Sequence, residues 1–183
     1  MASIPSIPSI GLRWGLILGL ASAAYSVALD LAGQIGNQAL GYVGLLFTLG
    51  AVILAIRQFK RLNLGFATLG QGFRTGFFTA VIGGTISSVL GAIYMLVDSG
   101  VKTRLFEATR LALEEQAASN PQITDEVIEM QMGIMENMMA PYISIPLGIL
   151  GSAFMGAIIA VIVAAILRKD GQPAESDIEA IGR

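Results

Sequence analysis

The chain has 183 residues, 54% of them hydrophobic and only 13% charged, with 22 glycines and a formal net charge of −2. A soluble domain carries about 25% charged residues; so thin a set cannot cover a water-exposed surface, so the apolar excess calls for a bilayer around a single domain. With neither cysteine nor histidine, the sequence excludes disulfides, thiol nucleophiles, histidine acid–base pairs and most zinc sites, and no side chain titrates ordinarily near neutrality.

Residues 1–10 contain Pro5 and Pro8, which argue against a helix there. From Gly11 to Gly33 no charge interrupts the chain between Arg13 and Asp30, a length that crosses a hydrocarbon core of about 30 Å as a helix. The first span is therefore expected over about 12–33. Arg13, the run Trp14–Leu20 and the triplet Ala21, Ser22, Ala23 imitate a secretory signal and its cleavage site. The long proline-containing start and the apolar run beyond that site favour a retained span. A second span is expected at 39–57, stopped by Arg57, Lys60 and Arg61, and a third at 74–97, uncharged between Arg74 and Asp98. A fourth, at 142–167, is closed by Arg168 and Lys169. All four have the length of a membrane helix, and the alternation of membrane β-strands is missing.

The connections differ in character. Residues 33–39 lack positive charge, whereas 57–74 hold Arg57, Lys60, Arg61 and Arg74 without an acid and, with Gly65, Phe66, Gly70 and Phe73, suggest an elbow that re-enters the membrane or lies at its interface. Residues 98–140 form the one sizeable extramembrane piece, expected as an amphipathic helical hairpin. In its first helix Val101, Leu105, Ala108 and Ala112 share a face. Ser119, Asn120 and Pro121 break the chain, and Thr124 caps a second helix with Asp125 and Glu126 in its first turn. Ile123 and Ile128 stand at hydrophobic-staple positions, and Val127, Ile134 and Met138, flanked by Met135 and Met139, form its apolar stripe. A polar tail follows at 170–183, separate from the 1–169 membrane domain.

Positive charge favours the cytoplasmic side. Arg13, the basic stretch 57–74 and the pair Arg168, Lys169 place both termini in the cytoplasm; the uncharged 33–39 loop and the acid-rich 98–140 hairpin go outside. Tyr42, Tyr94 and Tyr142 fall at outer ends and Trp14 at an inner one, at headgroup level.

Small residues recur every four positions: Gly11, Gly15, Gly19, Ala23 in the first span; Gly72, Gly76, Ala80, Gly84, Ser88, Ala92 in the third; Gly148, Ser152, Gly156, Ala160, Ala164 in the fourth. Such faces let backbones approach closely in lipid. They serve either packing within the chain, favoured for the third and fourth spans, or a homo-oligomer. Ser22, Ser26, Thr48, Thr79, Thr85, Ser87 and Ser88 are the polar groups at depth, and each can return its hydroxyl to a preceding carbonyl. Ser87 and Ser88 beside Gly83 and Gly84 also suggest a local kink in the third span.

No ionisable residue lies near the centre of a span, where transport pathways place them. Arg74 is the charge at a span end best placed to snorkel to phosphates, though a structural role suits it better than a lipid site. The acids Glu107, Glu114, Glu115, Asp125, Glu126 and Glu129 have weak metal-site spacing and suit solvated helix faces, with Glu107–Arg110 and Asp125–Glu129 as surface neighbours. The glycines between 65 and 76 lack phosphate-loop or dinucleotide spacing. No catalytic, cofactor-binding or metal-binding residue is assigned, and no nucleic-acid partner is expected.

The segment GLRWGLILG at 11–19, the stretch 69–98, the acidic, Met-rich helix 124–140 followed by Pro141, and the ending AAILRK at 164–169 resemble an uncharacterised family of small bacterial four-helix membrane proteins, a domain of unknown function. The resemblance implies an all-α inner-membrane protein with an outward hairpin between the last two spans, and brings no activity with it. The expectation for function is a non-enzymatic, structural or accessory protein in the lipid bilayer, with the 98–140 hairpin available to a protein partner. A small transporter or channel is the alternative.

Overall fold

The computed structural model describes residues 6–171 apart from Pro121. Residues 1–5, with Pro5, and the part of the expected tail at 172–183 lie outside the described residues. The fold is all-α: α1 (Ile7–Leu31), the short α2 (Gln38–Gly41), α3 (Val43–Leu62), α4 (Leu69–Val97), α5 (Gly100–Ser119), α6 (Asp125–Met138) and α7 (Pro141–Leu167). Four stretches are long and apolar enough to cross a membrane, namely α1, α2 with α3, α4 and α7. The extramembrane helices α5 and α6 lie between the third and fourth of them.

The helices run past the apolar stretches that announce them, because backbone hydrogen bonding continues where hydropathy stops. Pro8 does not prevent a helix as expected. It sits in the first turn of α1, where its missing N–H is one of the donors that lack a partner anyway. The expected interface elbow at 57–74 also needs correction. Residues 57–62 complete α3 and residues 69–74 begin α4, leaving only a tight turn between them. Leu64 and Gly65 adopt positive φ of 53° and 85° in that turn. The Thr68 hydroxyl accepts from Gln71 N while the Gln71 side chain accepts from Thr68 N, a capping box that fixes the start of α4. In the hairpin, Thr124 caps α6 through Val127 N, with Asp125 and Glu126 following, and α5 stops at Ser119, as the sequence suggests.

Small residues govern the packing. α4 meets α7 along one stripe and α1 along another, and these are the most extensive helix pairs in the bundle. Facing α7, Gly72 lies against Ala164, Gly76 against Ala160, Gly84 against Ser152, and Ala80 and Ser88 against Gly156 and Gly148. Facing α4, Gly11, Gly15 and Gly19 lie against Phe78, Ile82 and Ile86. The stripes therefore meet within one chain, and the faces considered for a homo-oligomer are occupied. Over them α3 adds Val52 and Ile56 to a core with Ala80, Val163 and Ala164. Thr48, Thr79 and Thr85 each return their hydroxyl to the carbonyl four residues back, as expected. The outer faces are apolar and bare: Leu46 is 63%, Phe154 68% and Ile166 75% exposed, the reverse of a water-soluble bundle.

One end of the bundle holds the start of α1, the α3–α4 turn and the end of α7. There the Trp14 indole N–H donates to Gln58 Oε1 at 2.6 Å, the Lys60 ammonium to the Leu167 carbonyl at 2.9 Å, and Ala67 and Lys169 exchange backbone hydrogen bonds. The opposite end holds the ends of α1 and α4 and the α5–α6 hairpin.

Candidate functional site

At the hairpin end, three elements bring charge together. α1 closes on Gly33, whose φ of +67° suits glycine. The N–H of Gly33 bonds the Asp30 carbonyl and that of Gln34 bonds the Leu29 carbonyl, the pattern of a Schellman termination. That places Asp30 in the last turn of α1, where the helix dipole disfavours an anion. Its side chain is 0% exposed, so it requires a cation and full hydrogen bonding. Both come from elsewhere in the chain. α4 supplies the Tyr94 hydroxyl, which donates to Asp30 Oδ2 at 2.7 Å. α5 supplies Arg104, whose Nε reaches Asp30 Oδ1 at 2.7 Å and whose terminal nitrogen reaches Asp30 Oδ2 at 2.6 Å, a two-pronged grip.

The same Arg104 nitrogen also donates to Asp98 Oδ2 at 2.7 Å. Asp98 follows α4 directly and accepts from the Gly100 N–H at 2.9 Å, which links the end of one helix to the start of the next. The bonds from Arg104, helped by the Gly100 N–H, hold the Asp98 carboxyl below the usual carboxylate range. The two carboxylates in turn push the Arg104 guanidinium above its ordinary value, so it is charged at any accessible pH. Arg104 and Asp98 remain partly open to solvent, with side chains 41% and 43% exposed. The arrangement is a latch: one arginine ties the hairpin to the ends of α1 and α4.

Further contacts seat the hairpin. Ala108 of α5 packs on Gly36 in the α1–α2 connection, and Val101, Leu113 and Ile128 are buried. An exposed Lys102–Glu136 pair at 3.6 Å joins α5 to α6. Under the hairpin lies an open groove of about 580 Å³, walled by Met95 of α4, Leu147 of α7, and Leu105, Ile134, Met135 and Met138 of the hairpin. A second cavity of about 300 Å³ lies among all four spans, with the hydroxyls of Ser22, Thr48, Ser87 and Ser152 on its walls.

The residues singled out in the sequence fall variously. Asp30 and Asp98, read only as charges at span ends, join in the latch. Arg104 lies within the acid-rich 98–140 segment, and its pairing with a residue 74 positions earlier leaves no local trace. A hint existed in an acid at the C-terminal end of an apolar span, which asks for a cation on the same side of the membrane. Arg74 is exposed on α4 and has no ion pair among the described residues. The acids Glu107, Glu114, Glu115, Asp125, Glu126 and Glu129 are exposed, and among the described residues no group of three ligand-type side chains assembles around a metal position. Glu107 and Arg110 are exposed on α5, where Arg110 pairs with Glu114 at 2.9 Å. The stripe Val127, Ile134, Met138 is half-correct. Ile134 and Met138 line the groove yet stay partly exposed, while Ile128 is the residue of α6 that is buried.

A four-span helical bundle with a latched extramembrane hairpin defines a multi-pass membrane protein. The chain belongs to the DUF4199 family of proteins of unknown function, whose family model matches residues 13–169 and so takes in all four spans and the hairpin. No match to the chain was found among curated proteins or solved structures.

Proposed function

We propose that this chain is a non-enzymatic accessory protein of a bacterial inner membrane, with both termini cytoplasmic, whose α5–α6 hairpin is its working surface on the far side. The observation that carries this reading is the Arg104 latch. A hairpin held by a two-pronged grip on a buried carboxylate is a positioned surface, not a loose connection. Its exposed residues include Glu107, Glu114, Glu115, Glu126 and Glu129, an excess of negative charge suited to a basic protein partner. Basic residues Arg57, Lys60, Arg61, Arg168 and Lys169 gather at the opposite end, which supports the cytoplasmic assignment there.

The test compares proteins that copurify from native membranes with the intact chain and with a chain lacking residues 101–138. Partners lost with the hairpin are the expected result, and an unchanged set refutes the reading. Orientation is checked separately. The natural chain has no cysteine, so Ser119→Cys and Asn63→Cys give single labels; an impermeant thiol reagent added to intact cells should reach the first and not the second.

The four-span cavity favours a second reading, passage of a small uncharged solute past the hydroxyls of Ser22, Thr48, Ser87 and Ser152. Flux of such solutes into liposomes carrying the purified chain decides it, and a rate equal to protein-free liposomes removes it.

A further inference from the structure

The groove beneath the hairpin has a physical address that narrows what it holds. Its volume of about 580 Å³ falls in the range of about 300–1,000 Å³ typical of small-molecule sites. No charged side chain lines it, and its polar groups are Thr109, Gln131 and Ser144. A buried charge would have no counterion there, so whatever enters does so with an uncharged, apolar part. The lining is rich in methionine, whose unbranched thioethers adapt to irregular apolar ligands.

Position identifies the source. α6 joins the span α7 through Met139 and Ala140 alone, so the last turn of α6 is held at the membrane boundary. There Ile134 and Met138 stand 52% and 41% exposed, beside Leu147 at 41% and Leu150 at 66% on α7. Leu147 thus belongs both to the groove wall and to the exposed apolar face of α7. The groove therefore reaches from the extramembrane hairpin down to a residue that faces lipid, which gives an acyl chain a direct way in past Leu147.

We propose that the groove takes up one acyl chain of a bilayer phospholipid, drawn in sideways from the leaflet at the hairpin end and covered by α5 and α6. The inference rests on the membrane-spanning fold and is independent of any protein partner of the hairpin.

The experiment uses the full chain in phosphatidylcholine–phosphatidylethanolamine vesicles doped with a phosphatidylcholine bearing a diazirine in one acyl chain. After irradiation, labelled residues are mapped by peptide mass spectrometry. Label should concentrate on Met95, Leu105 and the 134–147 stretch, several-fold above the lipid-facing residues Ile158 and Ile162. The double variant I134Q/M138Q should lower groove labelling about tenfold, equivalent to about 1.4 kcal/mol of binding. L150Q, outside the groove, should leave it unchanged. Both groove substitutions fall on half-exposed positions, and the wild-type labelling pattern is a test even if the double variant misfolds. Label spread evenly along α7, or undiminished in a folded double variant, overturns the proposal. So does a diazirine fatty acid that marks the groove where the phospholipid does not.

Discussion

Glycines in these helices predict opposite responses to one and the same substitution. A Cβ added at Gly15 would stand 2.7 Å from both Cβ and Cγ2 of Ile82 and 3.1 Å from the Thr79 carbonyl oxygen. At Gly19 it would stand 2.6 Å from Ile86 Cβ and 2.9 Å from the Gly83 carbonyl oxygen. Carbon atoms in good contact are about 3.5–4.0 Å apart, and the obstructing atoms are a branched Cβ and a backbone carbonyl, neither of which can swing aside. α1 must therefore withdraw from α4 by roughly 1 Å, and Gly15→Ala or Gly19→Ala should each cost about 1–3 kcal/mol, the scale of overpacking. At Gly50 and Gly91 nothing lies within 4 Å of the added atom. There alanine only removes backbone freedom and should be neutral or stabilise by up to about 1 kcal/mol, less where spans stay helical on unfolding. Unfolding of the full chain in detergent, followed by far-UV circular dichroism and by Trp14 fluorescence, measures all four variants. Equal effects at the four glycines, or a neutral Gly15→Ala, would refute the close approach of α1 to α4.

The latch yields an ordering. Arg104→Met strands the Asp30 carboxylate without its cation, so R104M should release α5 to hydrogen exchange more than the double variant D30N/R104M does; an equal or greater release in the double variant would refute the latch. Acid should act through Asp98 as well. A folded pKa below the ordinary value stabilises above the unfolded value of about 4, and that contribution disappears as pH falls through the folded value. The difference in melting temperature between wild type and Asp98→Asn, open near neutral pH, should therefore close in acid, and a pH-independent gap would count against the pairing. Leu64 has positive φ where glycine is the usual occupant, so Leu64→Gly should stabilise the α3–α4 turn by about 1 kcal/mol in the same unfolding assay. Thr68→Ala removes one arm of the α4 capping box and should cost about 1 kcal/mol; no change would mean the box does not hold α4.

The parts of the fold legible in the sequence are those written at short range. The four spans follow from runs of uncharged residues, the cap at Thr124 from local chemistry, and the α4–α7 seam from residues four apart on both helices. The errors share a cause. Pro8 and the charged flanks of 57–74 were weighed by hydropathy and by proline's average effect. Helix ends are decided by which backbone groups find partners, and those are satisfied at Pro8 and continue through Arg61 and from Leu69. The latch was hidden for another reason. Asp30, Tyr94, Asp98 and Arg104 meet only after α1, α4 and α5 have packed, and no spacing along the chain encodes that meeting. The groove is hidden likewise, since its walls come from α4, the hairpin and α7 at once.

The position of α4 ties these features together. One side of it, from Gly72 through Ser88, is spent on α7, and the next, with Phe78, Ile82 and Ile86, on α1. Buried Thr75 and Thr79 lie on this helix with their hydroxyls turned back to its own carbonyls, so they present no polar group to a neighbour. A helix enclosed in this way can carry charge only at its ends, and Arg74 and Asp98 mark those limits. The stripes that meet α7 and α1 are used within the chain, while Gly50 of α3 and Gly151 of α7 would meet nothing within 4 Å of an added Cβ and stay open. The hairpin end is different, because there α4 stops, α5 turns away on Gly100, and one arginine replaces the continuous packing of the bundle. Regulation of the hairpin by a ligand or partner would therefore act on Arg104 and its two carboxylates, leaving the four-span packing intact.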